Sequence, residues 1–279
     1  MQYHLTALEA YSDGAIDIWG FLDIDLFRKK LQTGWVWPNP PDGECISVHN
    51  LGGWTSCDGQ WTETIDSMHS KVIGAIQELN PQKHNLLNME GSDTELRGKV
   101  RYAKLGLSDH QPCRRTDDEA LVIGREVPVF EVGDGKFTLT RLVIFSDSLC
   151  RVGYHGSLQH LDVVVEMFSD GRLATSAPDG CRIIIEGLGS SVCNKGSWYV
   201  QPSERVREIQ ALLNELNGAN DSVKECMIRK RAYKEEPTEA NRQALRSAYL
   251  AVPEHRRLYC GDMDSKDTEI QNILSGSEV

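Results

Sequence analysis

Pro41-Asp42-Gly43, Leu51-Gly52, Gly59-Gln60-Trp61 and Glu78-Leu79-Asn80 return 137 positions later as Pro178-Asp179-Gly180, Leu188-Gly189, Gly196-Ser197-Trp198 and Glu215-Leu216-Asn217. Residues 41–80 share eleven identities in forty with residues 178–217, where average composition gives roughly two or three by chance. Upstream, Leu5-Thr6-Ala7-Leu8 with Ser12-Asp13-Gly14 is matched by Leu139-Thr140-Arg141-Leu142 with Ser146-Asp147-Ser148 at an offset of 134. A self-match at fixed spacing is the signature of a duplicated supersecondary unit.

Physical signals in each copy read alike. A strand (Tyr3 to Tyr11; Phe137 to Phe145) turns through small polar residues into a second strand (Ala15 to Leu22; Leu149 to Tyr154), which is hairpin chemistry. A helix follows. Asp23 can cap the first and Gly34 close it, with Leu26, Phe27 and Leu31 inward; Ser157 and Gly171 bracket the second, with Leu158, Leu161, Val164, Val165 and Phe168. A short strand comes next (Trp35 to Trp37; Leu173 to Ser176), then the Pro-Asp-Gly turn and another strand (Cys45 to Leu51; Cys181 to Leu188). Proline presets φ and glycine supplies φ > 0 at that turn. Each copy ends in a longer helix whose apolar residues, Ile65, Met68, Val72, Ile76 and Leu79 or Val206, Ile209, Leu213 and Leu216, keep helical spacing.

Between the copies, Arg97 to Leu107 alternates like a strand, Asp109 to Glu119 reads as a polar loop, and Ala120 to Val132 as one or two strands. After them, Asp221 to Lys234 and Thr238 to Ala251 form a helical pair broken at Pro237, with Thr238 as cap. The expected fold is therefore α+β: two tandem pseudo-symmetric ββαββα-like repeats, over 1–90 and 137–218, joined by a β-rich connector over 91–136. A C-terminal helical hairpin and a polar, frayed tail occupy 219–279.

The chain has 279 residues, 40% of them apolar and 25% charged, in the range of a globular protein. Its net charge of −11 disfavours non-specific binding to nucleic acid or an anionic membrane. Neither a secretory leader nor a run of about 18 apolar residues is present, so the expectation is a cytoplasmic protein. Eight cysteines stand singly, without Cys-x-x-Cys spacing, and read as free thiols in a reducing compartment.

What the copies share is scaffold: turn glycines and prolines, a tryptophan and apolar helix positions. The polar chemistry differs, with Cys45, His49 and His69 matched by Arg182, Glu186 and Val206. A duplicated catalytic site would keep its acid, base or ligand in both halves, so any active site belongs to one copy or to the tail. The tail holds the densest polar cluster. Asp262, Asp264 and Asp267, with His255 one or two turns away, are the candidate catalytic or hard-cation ligands. An EF-hand register started at Asp262 puts Asp267 where Gly is required and Leu274 where Glu is required, so that motif fails. The alternative is a polar turn whose aspartates cap backbone N–H groups. Asp117 and Asp118 with Asp134-Gly135-Lys136 loosely follow a nuclease-like metal arrangement, set against an ordinary hairpin turn. No phosphate loop, dinucleotide fingerprint, Gly-x-Ser-x-Gly or His-Glu-x-x-His occurs, and no cofactor is expected.

Val252-Pro253-Glu254-His255-Arg256-Arg257-Leu258-Tyr259-Cys260-Gly261-Asp262-Met263-Asp264-Ser265-Lys266-Asp267 resembles the tail of an uncharacterised bacterial protein family. So does the N-terminal Trp19-Gly20-Phe21-Leu22-Asp23-Ile24-Asp25. The resemblance implies a bacterial source and carries no activity.

Six tryptophans remain to be placed. Trp61 and Trp198, matched between the copies, are expected in the core between strand and helix. Trp35 and Trp37 share one face of a short strand, where they either pack inward together or form an exposed aromatic binding patch. Arg229-Lys230-Arg231 is a solvated basic helix end, because residues 219–279 hold ten basic and eleven acidic side chains. The functional expectation is a non-catalytic interaction protein whose acidic surface engages a basic protein partner, an immunity or antitoxin-like inhibitor being one form. The rival is a metal-assisted hydrolase or nuclease built on the tail carboxylates and His255.

Overall fold

A computed structural model describes residues 2–18, 20–82, 94–97, 100–103, 111–261 and 264–276. The first part of the chain forms β1 (Gln2–Leu5), β2 (Glu9–Ala10), β3 (Ile16–Asp17), β4 (Phe21–Leu22), α1 (Ile24–Gln32), β5 (Cys45–Val48), β6 (Gly52–Trp61) and α2 (Ile65–Leu79). Then come β7 (Thr94–Arg97), β8 (Val100–Ala103), β9 (Cys113–Arg115), β10 (Leu121–Gly133), β11 (Lys136–Phe145), β12 (Leu149–Val152) and β13 (Leu158–His160). The remainder is α3 (Leu161–Ser169), β14 (Leu173–Ala174), β15 (Arg182–Ile185), β16 (Gly189–Trp198), α4 (Pro202–Leu216), α5 (Ser222–Glu235), α6 (Glu239–Ala251), a 3-10 helix (Glu254–Cys260) and α7 (Thr268–Ser275). The fold is α+β, with a large mixed sheet and a helical C-terminal region. No described helix is long and apolar enough to cross a membrane.

Local chemistry sets the helix ends. The Asp23 carboxylate accepts from Leu26 N–H at 2.7 Å and starts α1. Thr64 and Ser67 exchange side-chain and backbone bonds in a capping box at α2. Pro202 sits in the first turn of α4, where its missing N–H costs nothing. Asp221 and Thr238 cap α5 and α6. Strands β5 and β6 and helix α2 begin and end 137 residues before β15, β16 and α4. The Asp42 carboxylate accepts from Gly59 N–H at 2.9 Å, and Asp179 from Gly196 N–H at 3.0 Å. Asn80 donates from its amide to the Ser12 carbonyl, as Asn217 does to Ser146. The recurring Asp, Gly and Asn residues thus tie a turn to its strand and a helix end to a hairpin.

Two compact units divide the chain. One comprises residues 1–111, 130–140 and 177–197. Its strands run in the order β1-β5-β6-β16-β15-β11, with β1 parallel to β5, β11 parallel to β15, and both hairpins antiparallel. Strands β2, β3 and β4 form a small antiparallel sheet. Ile16, Phe27, Leu31, Val72 and Ile76 build the core beneath α1 and α2; full burial of side chains this size stabilises by roughly 1.5–3 kcal/mol each. Trp54 is fully buried and donates from Nε1 to Ser191 Oγ at 3.0 Å. Gly189 has φ +129°, and a Cβ there would lie 2.2 Å from the Gln60 carbonyl oxygen, so the approach of β6 to β16 demands glycine.

The other unit comprises residues 112–129, 141–176 and 198–279. Here β9 pairs antiparallel with β10, β12 with β11, and β13 with β12. Leu142, Ile144, Val164, Phe168, Ile209 and Leu213 form its main core. A second cluster, with Tyr233, Leu245, Val252 and Ile270, joins α5, α6, the 3-10 segment and α7.

Several expectations are corrected. The strand predicted for Trp35 to Trp37 is a turn: the Lys30 carbonyl accepts from both Trp35 and Val36 N–H, and Pro38 has none, so no ladder is available. Leu158 belongs to β13, and the helix predicted from Ser157 starts only at Leu161. Strands β6 and β16 occupy stretches to which the sequence assigns no element, because glycine and serine weaken local strand preference. Arg97 ends β7 and Val100 opens β8, a hairpin in place of one strand; residues 104–110 lie outside the described residues. The predicted polar loop after Asp109 contains β9. Trp61 and Trp198 are half-buried, and among the described residues the core tryptophan is Trp54. The tail expected to fray forms α7, with Ile270 and Ile273 buried.

Candidate binding cleft

The first unit contains a cleft of about 750 Å3, within the size range of small-molecule sites. Edge strand β1 forms one wall through Tyr3, His4 and Leu5. The turn after α1 supplies Trp35, Val36, Trp37 and Pro38, and α2 supplies Met68, Lys71, Val72, Ala75 and Leu79. Helical spacing puts those five side chains on one stripe. Gly34, with φ +71°, makes the bend that brings both tryptophans to the cleft; a Cβ there would meet the Trp37 ring at 3.3 Å.

The aromatic wall is ordered by specific contacts. Tyr3 and Trp37 meet edge to face, centroids 5.6 Å apart at 84°. Lys30 Nζ lies 3.1 Å from the centroid of the Trp35 ring, a cation–π contact that holds a side chain left 56% exposed. Burial, then the negative charge of Glu44, pushes the Tyr3 phenol above its ordinary value, so Tyr3 stays protonated at neutral pH. Ser47 Oγ lies 2.7 Å from His4 Nδ1 and 3.2 Å from the Tyr3 carbonyl. When Ser47 gives its single proton to that carbonyl, His4 Nδ1–H donates to Ser47, which sets the tautomer.

Electrostatically the cleft differs from the chain around it. Residues 1–80 carry eleven acidic and four basic side chains, yet among the described residues no Asp or Glu lines the cleft and Lys71 is its one ammonium. Lys71 Nζ lies 3.0 Å from Glu63 Oε1. Hydrogen bonds from Ser67 and then Lys71 hold the Glu63 carboxyl below its usual range, so the pair is ionic at neutral pH. Among the described residues no cysteine, serine or carboxylate lines the cleft; its chemistry is aromatic and aliphatic contact with a cation at the rim.

Trp35 and Trp37, the aromatic pair singled out in the sequence, are thus both in the cleft, Trp35 exposed and Trp37 half-buried. Sequence reasoning missed Lys71 and Tyr3, although Lys71 falls between Met68 and Val72 on the same helical stripe.

The tail candidates go elsewhere. His255 is buried in the second unit, its Nε2 3.4 Å from Glu208 Oε1, while the other Glu208 oxygen accepts from Arg205. Arg256 reaches Asp221 at 2.7 Å and Glu215 at 3.8 Å, and Glu254 N–H donates to Glu204 at 3.0 Å. Pro-Glu-His-Arg-Arg is therefore the segment that fastens the tail to α4. Asp267 precedes α7 and accepts from the Tyr249 hydroxyl at 2.5 Å and Gln271 at 3.0 Å. Burial and then that carboxylate push the Tyr249 phenol up to about 12. Asp264 is exposed in the preceding turn, and Asp262 lies outside the described residues, as does Trp19. Asp134, at φ 51°, occupies the β10–β11 turn. Among the described residues no three His, Cys, Asp or Glu side chains are placed to hold a metal ion.

Residues 1–83 and 113–220 match the family described as Domain of unknown function (DUF7638). The chain belongs to the DUF7638 family. Residues 221–279, from α5 onward, match a second family, Domain of unknown function (DUF7639). The cleft lies in the DUF7638 part, and Pro253–Arg257 in the DUF7639 part. No curated protein and no solved structure matches the chain.

Proposed function

We propose that this chain is a non-catalytic binding protein that works through the Trp35–Trp37 cleft. One observation carries the reading: an aromatic-walled cleft of about 750 Å3 keeps a 56% exposed tryptophan at its mouth, with Leu79, also exposed, on the opposite α2 wall. An exposed aromatic anchor beside an apolar recess is the usual composition of a binding hot spot. Titration with Nile red, an uncharged apolar dye, tests this. Saturable blue-shifted emission that Ala75→Trp abolishes supports it; emission unchanged in that variant refutes it.

A second reading rests on charge. The net charge of −11 favours fast, salt-sensitive association with a basic protein, an immunity or antitoxin-like inhibitor of bacterial origin being one concrete form. Eight unpaired cysteines support a reducing, cytoplasmic setting for it. Its test is the association rate with a basic protein partner, which should fall steeply as salt rises; a salt-independent rate removes it. A metal-assisted hydrolase built on His255 and the tail carboxylates draws no support from the described geometry, where His255 is committed to Glu208.

A further inference from the structure

The elements at an offset of 137 permit a comparison of two helix faces. Met68, Lys71, Val72 and Ala75 of α2 stand where α4 has Arg205, Glu208, Ile209 and Leu212. On α4 that face is covered by the chain itself: His255 lies on Glu208, and Glu254 N–H on Glu204. Among the described residues the α2 face has no such cover, and it lines the cleft. The sign of the central charge is also reversed. Buried Glu208 draws the Arg205 guanidinium, the His255 ring and the Arg256 guanidinium to its face, whereas Lys71 presents an ammonium at the same position of α2.

Resting on the reading of the cleft as a binding site, we infer that its ligand is a small amphipathic carboxylate, an apolar chain or ring system ending in a single carboxyl group. The apolar body fits against Trp37, Met68, Val72 and Ala75, and the carboxylate meets Lys71 at the rim. Glu63 does not preclude this. An ammonium has three donors, and Glu63, also bonded by Ser67 at 2.7 Å, fixes Lys71 while using one of them. Among the described residues no Asp or Glu lines the cleft itself, and the carboxylate beside its ammonium is Glu63, already paired with Lys71.

Calorimetric titration of the full chain with decanoate, decan-1-ol and decylammonium at neutral pH tests the inference. Decanoate is expected to bind about fivefold more tightly than the alcohol, the scale of a half-exposed ion pair, and decylammonium most weakly. Each added methylene should tighten the carboxylate about fourfold. Lys71→Gln should erase the preference for carboxylate over alcohol, and Ala75→Trp should remove all binding. Both positions are exposed, and Leu79→Trp, at a residue 57% exposed, is a second blocking variant. If decanoate and decanol bind equally and Ala75→Trp removes both, the carboxylate inference falls and the cleft reading stands. A carboxylate preference that survives Lys71→Gln also overturns the inference. If none of the three binds, or the blocking variants leave binding intact, the inference and the cleft reading fall together.

Discussion

Replacing Glu208 with alanine isolates the energetics of a buried ion cluster that joins α4 to the tail. Arg205 is 0% and Glu208 2% exposed, and their pairing leaves Arg205 with a carboxylate in place of water. Removing that carboxylate takes the ion-pair partner from a buried guanidinium, which costs about 3–5 kcal/mol, against a total stability of roughly 5–15 kcal/mol. Removing the pair together is a different matter. The double variant Arg205→Met, Glu208→Leu eliminates both desolvation costs and should fall within about 1 kcal/mol of wild type or exceed it. Urea unfolding followed by far-UV circular dichroism measures both, and the single variant should lower its transition midpoint by about 2 M. The pH dependence adds a sign. Burial pushes the Glu208 carboxyl up, but His255, Arg205 and Arg256 outweigh it, and its folded value lies below the ordinary 4.5. A depressed folded value gives stability that is complete above the unfolded value and is lost as pH falls through the folded one. The advantage of wild type over Glu208→Gln should therefore vanish only in acid. A single variant costing under about 1 kcal/mol, or a double variant costing as much as the single, refutes the argument.

Three further outcomes are expected. Gly189→Ala should cost about 3 kcal/mol in thermal or urea unfolding, because its Cβ meets the Gln60 carbonyl at 2.2 Å; Gly180→Ala, also at positive φ but in open space, should cost about 1 kcal/mol. Equal losses would show that left-handed backbone alone decides. Asp42→Ala and Asp179→Ala should each lose about 1 kcal/mol through the same bond to Gly59 or Gly196 N–H, and a difference above about 1 kcal/mol would break their equivalence. In native protein at neutral pH, exposed Cys113 should react first with a thiol reagent, ahead of Cys150 and Cys193. Burial pushes those two thiols up to about 11 and about 12, so modification faster than unfolding would contradict their placement.

Much of the scaffold is readable from local chemistry. The Asp23 and Thr238 caps, the Pro-Asp-Gly turns and the apolar stripes of α2 and α4 depend on neighbours within a few residues, so composition and spacing carry them. The cleft was half readable. Two nearby tryptophans are conspicuous in a sequence, but whether they turn inward or outward depends on the Lys30 carbonyl capturing two N–H groups and on Gly34 bending the chain. The buried cluster of Arg205, Glu208 and His255 was missed although Arg205, Glu208 and Leu212 share one helical stripe. Charged residues are read as solvent-facing by default, and the groups that cover this face come from about fifty residues further on.

By itself the sequence determined the α+β class, most of the helix ends and the turns, because each is set by short-range sterics and hydrogen bonds. Only the tertiary structure decided which helical stripe is covered and which is open. Gly52–Trp61 has little strand preference of its own and becomes a strand beside residues such as Ser191, which Trp54 reaches across 137 positions. The same long reach brings His255 onto α4 and leaves Lys71 at the rim of a cleft. Partners so distant in the chain are chosen by the packing of the whole unit, which no local window contains.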